Sequence, residues 1–159
     1  MTPSSATKPS ASDDQRYMRL ALAEARQAYE SGEIPVGAII VSASGRIIGR
    51  GHNLTEMLSD VTAHAEMQAI TAAAQTLGGK YLSDCTLYVT LEPCLMCAGA
   101  IGWSQLSRIV IGADDPRRGY STMTTLLPFH PKATVVRGVC ADECRELIQN
   151  FFKERRTEK

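Results

Sequence analysis

Apolar positions change period several times along the chain, and each change marks a new element. Met18, Ala21, Leu22, Ala25, Ala28 and Tyr29 recur at helical spacing until Gly32, and Ser12 with Gln15 has the spacing of a capping box ahead of them. Val36 to Ser42 and Arg46 to Gly51 then read as two strands flanking Ala43-Ser44-Gly45, which has the composition of a hairpin turn. Helical period returns over Ala63 to Leu77, closed by Gly78-Gly79, and gives way to a strand over Cys85 to Leu91. A second such alternation follows, with a helix from Cys94 to about Gln105 and a strand from Arg108 to Gly112. Ala133 to Gly138 reads as a last strand and Asp142 to about Arg156 as a last helix, with Cys144, Leu147, Ile148, Phe151 and Phe152 as its core-facing stripe. Strands alternating with helices predict an α/β layer fold. Ala98, Gly99, Ala100 and Gly102 make the Cys94 helix slim on one side, which suits close packing on the sheet or a partner helix.

Met1 to Ser12 is a small, polar tract that cannot bury apolar surface, so residues 1–12 are expected to be a disordered tail and 13–159 a single domain. With 159 residues and 44% hydrophobic content the chain can bury a real core. Lys plus Arg equals Asp plus Glu at 17 each, which excludes a global basic field as the means of holding a nucleic acid. Local patches remain. Lys153 to Lys159 contains four basic and two acidic residues, a net of +2, and Arg117-Arg118 follows a strand end, although Asp114 and Asp115 cancel its charge. The odd count of five cysteines and the lack of a hydrophobic leader suggest a reducing cytoplasm, and no apolar run approaches the roughly 20 residues of a membrane span.

Two motifs carry chemistry. His64-Ala65-Glu66 and Pro93-Cys94-Leu95-Met96-Cys97 together supply three soft zinc ligands and one uncommitted carboxylate. A catalytic zinc takes three protein ligands and leaves a fourth position for water, whose pKa it lowers from about 15.7 to about 7. Cys94 and Cys97 are spaced i,i+3, one turn apart on one helix face, and Pro93 suits the start of that helix. His64 and Glu66 are spaced i,i+2, so they serve one site only if it lies off a helix end; Asp60-Val61-Thr62 supplies capping residues there. The metal is therefore expected between two helix N-termini, whose dipoles favour thiolates. A Cys-x-x-Cys alone reads equally as a redox pair or half of a structural zinc knuckle. Cys85, His52, His130, Cys140 and Cys144 are the candidates for a fourth structural ligand, but none has finger spacing. Cys144 and its neighbour Cys140 read as core.

The composite of His-x-Glu and Pro-Cys-x-x-Cys is the signature of zinc nucleobase deaminases. From about Tyr17 to Arg156 the chain resembles the bacterial tRNA-specific adenosine deaminases of the cytidine deaminase-like superfamily. The resemblance rests on Ile34-Pro35-Val36-Gly37-Ala38, Gly51-His52-Asn53, Thr62-Ala63-His64-Ala65-Glu66, Leu87 to Cys94, Met96 to Ala100, Ala141 to Cys144 and Phe151-Phe152-Lys153. It implies a three-layer α/β/α cytidine deaminase-like fold with a central five-stranded mixed sheet, one zinc per subunit and a homodimer. It also implies conversion of adenosine to inosine at the wobble position of a tRNA anticodon stem-loop. Zinc-bound hydroxide would attack C6 of a flipped-out adenine, while Glu66 would take the water proton and pass it to N1, then protonate the departing amine.

The same resemblance nominates Asn53 as a hydrogen-bond partner of the base, Ile34 and Val36 as the apolar walls around it, and Phe151, Phe152 and Lys153 as anticodon contacts. From residue type alone, Asn53 reads as a turn residue, Ile34 and Val36 as packing, and at least one of the two phenylalanines as core. Two segments depart from the family pattern. Gly102-Trp103-Ser104-Gln105 replaces a His-Ser-Arg-like segment, and a Trp there also occurs in guanine deaminases; Asp115 to Tyr120 lacks the Lys-x-Gly-Ala-x-Gly-Ser loop. Trp103, Tyr120, Arg117 and Arg118 are left without a role. A deaminase of free guanine, cytosine or cytidine, and a non-enzymatic zinc scaffold, stand as alternatives.

Overall fold

The computed structural model describes residues 10–157. Residues 1–9, most of the expected tail, lie outside it, as do 158 and 159 at the end of the basic patch. The first helix, α1, spans Ala11–Glu30 and so begins inside the segment assigned to the tail. Its cap is not the Ser12 and Gln15 pair. Ser10 is the N-cap, its hydroxyl accepting from the Asp13 N–H while the Asp13 carboxylate accepts from the Ser10 N–H.

Strands β1 (Gly37–Val41) and β2 (Ile47–His52) form the expected hairpin, followed by α2 (Ala65–Leu77), β3 (Thr86–Leu91), α3 (Leu95–Trp103) and β4 (Arg108–Ala113). A four-residue helix, α4 (Tyr120–Met123), precedes β5 (Thr134–Arg137) and α5 (Ala141–Thr157). The sheet order is β2-β1-β3-β4-β5; β1 is antiparallel to both neighbours, while β3, β4 and β5 run parallel. The five strands thus make the mixed sheet of an α/β fold.

Both faces of this sheet are covered, which is why β1, β3 and β4 read as continuous apolar runs instead of alternating ones. Ile39, Val41, Tyr88 and Val110 pack with Met18, Ala21 and Leu22 of α1 and Cys144 of α5. Ala38, Ile40, Leu87, Val89, Ile109 and Ile111 pack with Ala65, Ala69 and Ala73 of α2 and Ala98 and Ile101 of α3. A bidentate ion pair between Arg108 and Asp14, with the Tyr88 hydroxyl donating to Asp14 at 2.8 Å, fastens the start of α1 to the sheet.

The closest helix-to-sheet approaches belong to α1 and α2, not to the glycine-rich α3: a Cβ on Gly37 of β1 would lie 2.0 Å from the Ala21 carbonyl oxygen of α1. A Cβ on Gly51 would lie 2.4 Å from the Ala65 carbonyl oxygen and one on Gly49 2.4 Å from that of Ala69, so α2 lies directly on β2 through its alanines. On α3, Gly102 is approached by the Pro128 carbonyl, while Gly99 faces open space. This seating of α2 against the strand that ends in His52, just before Asn53, brings the starts of α2 and α3 to one end of the sheet.

Candidate active site

His64 is the N-cap of α2 and Cys94 the N-cap of α3, so the donors occupy two helix starts as the spacing required. Asp60 and Thr62 sit just upstream of the cap: the Asp60 carboxylate accepts from the Thr62 N–H at 2.8 Å and hydroxyl at 2.7 Å, a turn that leads the chain into the helix. His64 makes no side-chain cap bond and keeps its ring for other partners. Its Nδ1 lies 3.6 Å from Cys94 Sγ and 3.5 Å from Cys97 Sγ, and the three donor atoms fall within 4.8 Å of one another. With Zn–S of about 2.3 Å and Zn–N of about 2.0 Å, a tetrahedron has N···S edges of roughly 3.6 Å, so the donor set fits one zinc.

The protonation of these groups points the same way. The hydrogen bond from Cys97, helped by His64, brings Cys94 down to about 4 despite its burial. Cys97 is pushed up, first by its hydrogen bond to Cys94, then by burial and by the charges of Glu66 and Cys94. His64 is raised by its bond to Cys94. With protons alone the pair is one thiolate and one thiol, and a divalent cation is what allows both sulfurs to be charged at once.

Glu66 stands in the first turn of α2 and is 3% exposed. Burial lifts its carboxyl to about 7, against the opposing pull of its own backbone N–H and of His64. A carboxyl poised there both takes and returns a proton near neutral pH.

A cleft of about 1070 Å³ opens from these groups. Ile34, Val36, Asn53, Thr55 and Val61 line it on the side of β1 and β2; Leu91, Glu92 and Ala113 to Arg118 line it on the side of β3 and β4. It lies at the carboxyl ends of the parallel strands, where α/β sheets place ligands. Asn53 is 6% exposed, and its Oδ1 is the one buried side-chain polar atom among the described residues without a hydrogen-bond partner. An orphaned acceptor in a cleft wall has room to accept from a donor outside the chain.

Helix α5 closes the outer end. Arg145, Ile148, Gln149, Phe152, Arg155 and Arg156 face the cleft, whereas Cys144 and Phe151 are buried. Ile148 and Phe152, expected on the core stripe, therefore belong to a second stripe beside it. Phe151 is withdrawn from the cleft and meets Tyr29 edge-on at 5.6 Å; Lys153 is exposed and lies outside the lining. Arg155 donates to the Gly32 carbonyl and packs over the Phe151 ring, tying α5 to the loop that carries Ile34. Sequence alone did not single out Glu92, Arg145 or Gln149. Tyr120, left without a role, is buried and accepts from Arg137 at 2.9 Å; Trp103 is 84% exposed.

Residues 11–113 match the model of the cytidine and deoxycytidylate deaminase zinc-binding region. The chain is 47% identical over 150 residues to the tRNA-specific adenosine deaminase of Bacillus subtilis (strain 168), covering 92% of each. A solved structure from a study of A-to-I editing by tRNA:A34 deaminases at the wobble position of transfer RNA superposes with a TM-score of 0.76 at 42% identity, over 83% of this chain and 98% of that one. Guanine deaminase from Bacillus subtilis gives a TM-score of 0.60 at 39% identity over 63% of this chain and 64% of that chain.

Proposed function

Because the chain belongs to the tRNA-specific adenosine deaminases, within the cytidine and deoxycytidylate deaminase family, we propose that it converts adenosine to inosine at the anticodon wobble position. The observation that carries this reading is the continuity of the cleft, from His64, Glu66 and Cys94 at its inner end to Phe152, Arg155 and Arg156 at its outer end. A free base fills only the inner part. A nucleotide presented by an RNA loop uses both, with its neighbours against Phe152 and its phosphates near the arginines.

His64, Cys94 and Cys97 hold one zinc, which when bound supplies the Lewis acidity that makes water a nucleophile near neutral pH. Asn53 Oδ1 accepts a hydrogen bond from the flipped base, and Ile34 and Val36 flank the ring. Glu66 takes a proton from the water attacking C6 and delivers it to N1, then takes the remaining proton of the added C6 hydroxyl and gives it to the departing amine as the C–N bond breaks and C6=O forms. Water and adenosine become inosine and ammonia. Burial serves Glu66 in each step, because a carboxyl near 7 holds the proton only between transfers.

The partner on the protein side is a second copy of the chain. Leu95 and Trp103, two turns apart on α3, are 49% and 84% exposed with the open Gly99 between them, an apolar stripe suited to a symmetric contact. All five cysteines are free, in keeping with a reducing cytoplasm.

Likeness to guanine deaminase supports a second reading, deamination of a free base. Incubating the protein with an arginine tRNA bearing A at the wobble position, in parallel with guanine, cytosine and cytidine, separates the two. Inosine in the anticodon is expected; loss of free guanine with the tRNA unchanged would reverse the order of the readings.

A further inference from the structure

We propose that Glu92 is a positioning residue for the deamination, holding the cleft wall Asp114 to Arg118 in register with the metal donor Cys94 and so setting how the RNA lies over the reacting carbon. This rests on the reading of the chain as a tRNA deaminase. Glu92 is 3% exposed, and its carboxylate is filled by partners from beyond β4. Oε1 accepts from the Asp115 N–H and from Arg137, each at 3.3 Å; Oε2 accepts from the Ser121 N–H at 3.0 Å and from its hydroxyl at 2.6 Å.

The two segments are also joined through their backbones. Cys94 and Gly119 pair as an isolated antiparallel bridge, and the Tyr120 N–H donates to the Pro93 carbonyl at 2.9 Å. A Cβ on Gly119 would lie 2.4 Å from the Glu92 carboxyl carbon, so the loop closes directly on the carboxylate. Arg137 extends the tie, donating to Asp114 at 2.8 Å and to the Tyr120 hydroxyl at 2.9 Å. Glu92-Pro93-Cys94 and Gly119-Tyr120-Ser121 therefore form one body that contains both a metal donor and the base of a cleft wall.

The opposite wall has a different anchor. Glu33, 1% exposed, accepts from the Glu56 and Met57 N–H groups, each at 2.9 Å, and fixes the loop after β2 without touching a donor segment. The width of the cleft is thus set between two buried carboxylates, and only Glu92 shares its segment with the metal site. A loop held by bonds to a buried charge keeps its place when substrate arrives, so ordering it costs the bound state little.

The test is the division of effect between KM and kcat in Glu92→Gln and in Ser121→Ala, which removes only the hydroxyl bond. With an anticodon stem-loop as substrate, KM is expected to rise about tenfold in Glu92→Gln and severalfold in Ser121→Ala. The value of kcat stays within about twofold and zinc at one per chain, and the double variant is no worse than Glu92→Gln. Should Glu92→Gln fail to fold, the same split in Ser121→Ala decides. Unchanged KM in the folded variants, or kcat and zinc content falling together, overturns the proposal. A wild-type protein that leaves RNA unchanged overturns it together with the tRNA reading, whereas normal wild-type turnover with unaltered variant KM overturns it alone.

Discussion

The two ends of the cleft are built on different terms. At the inner end four side chains, His64, Glu66, Cys94 and Cys97, come from two short segments at two helix starts, and Glu66 and Cys97 are fully enclosed. At the outer end, the lining is drawn from α5 and the loop after β4, and Phe152 is 43% exposed. Chemistry needs few groups held rigidly; recognition of a large substrate needs many groups spread over a surface. The contrast teaches that changes at the inner end should alter turnover, while changes at the outer end should alter which molecule is bound and how tightly.

The largest effect is expected from Cys97→Ala. Zinc content by elemental analysis should fall from one per chain to near zero and activity should vanish, since two donors do not hold a catalytic zinc. Full activity in a metal-free variant would remove the inner end as the seat of chemistry. Asn53→Ala comes next, at the border between the ends. It should lower kcat/KM for the stem-loop by about 10- to 100-fold while leaving the thermal midpoint unchanged or higher, because a buried acceptor without a partner already costs the folded state about 1 to 3 kcal/mol. A fall in stability instead would make Asn53 a structural residue.

Further out, Phe152→Ala should weaken stem-loop binding by about 1 to 3 kcal/mol in a titration, with the rate at saturation preserved. Phe151→Ala is the counterpart that sharpens this: its ring is buried against Tyr29, so it should lower the thermal midpoint by loss of core. The smallest expected effect is that of Arg156→Ala, which should reduce the slope of log K against log salt by about one while leaving sequence preference intact. Lys153→Ala, outside the cleft lining, should leave that slope unchanged.

Much of the inner end was legible in the sequence because its signals are local. The i,i+3 cysteines, the i,i+2 His and Glu, and the turn residues before them place donors at helix starts by spacing alone, and all five strands follow runs of apolar residues. The outer end was not legible in the same way. On α5 the core stripe and the cleft stripe are adjacent, and helical period cannot tell Phe151 from Phe152 without knowing what each faces. Asn53 shows its character only through the absence of a partner in three dimensions. Glu92 shows its own through partners 23, 29 and 45 residues away. Four-residue α4 is too short to display a period. Glycines on α3 suggested close packing, but the closest helix-to-sheet approaches are those of α1 and α2, where the missing side chains, at Gly37, Gly49 and Gly51, belong to the strands instead of the helices.

The division between the two ends is tested most directly by single-turnover inosine formation in Glu66→Gln, measured across a range of stem-loop concentrations on protein of known zinc content. The expected result is one zinc per chain, half-saturation at the wild-type concentration, and a saturating rate lower by about a hundred- to ten-thousandfold. A saturating rate within about tenfold of wild type, or a shifted half-saturation with the rate preserved, would contradict it.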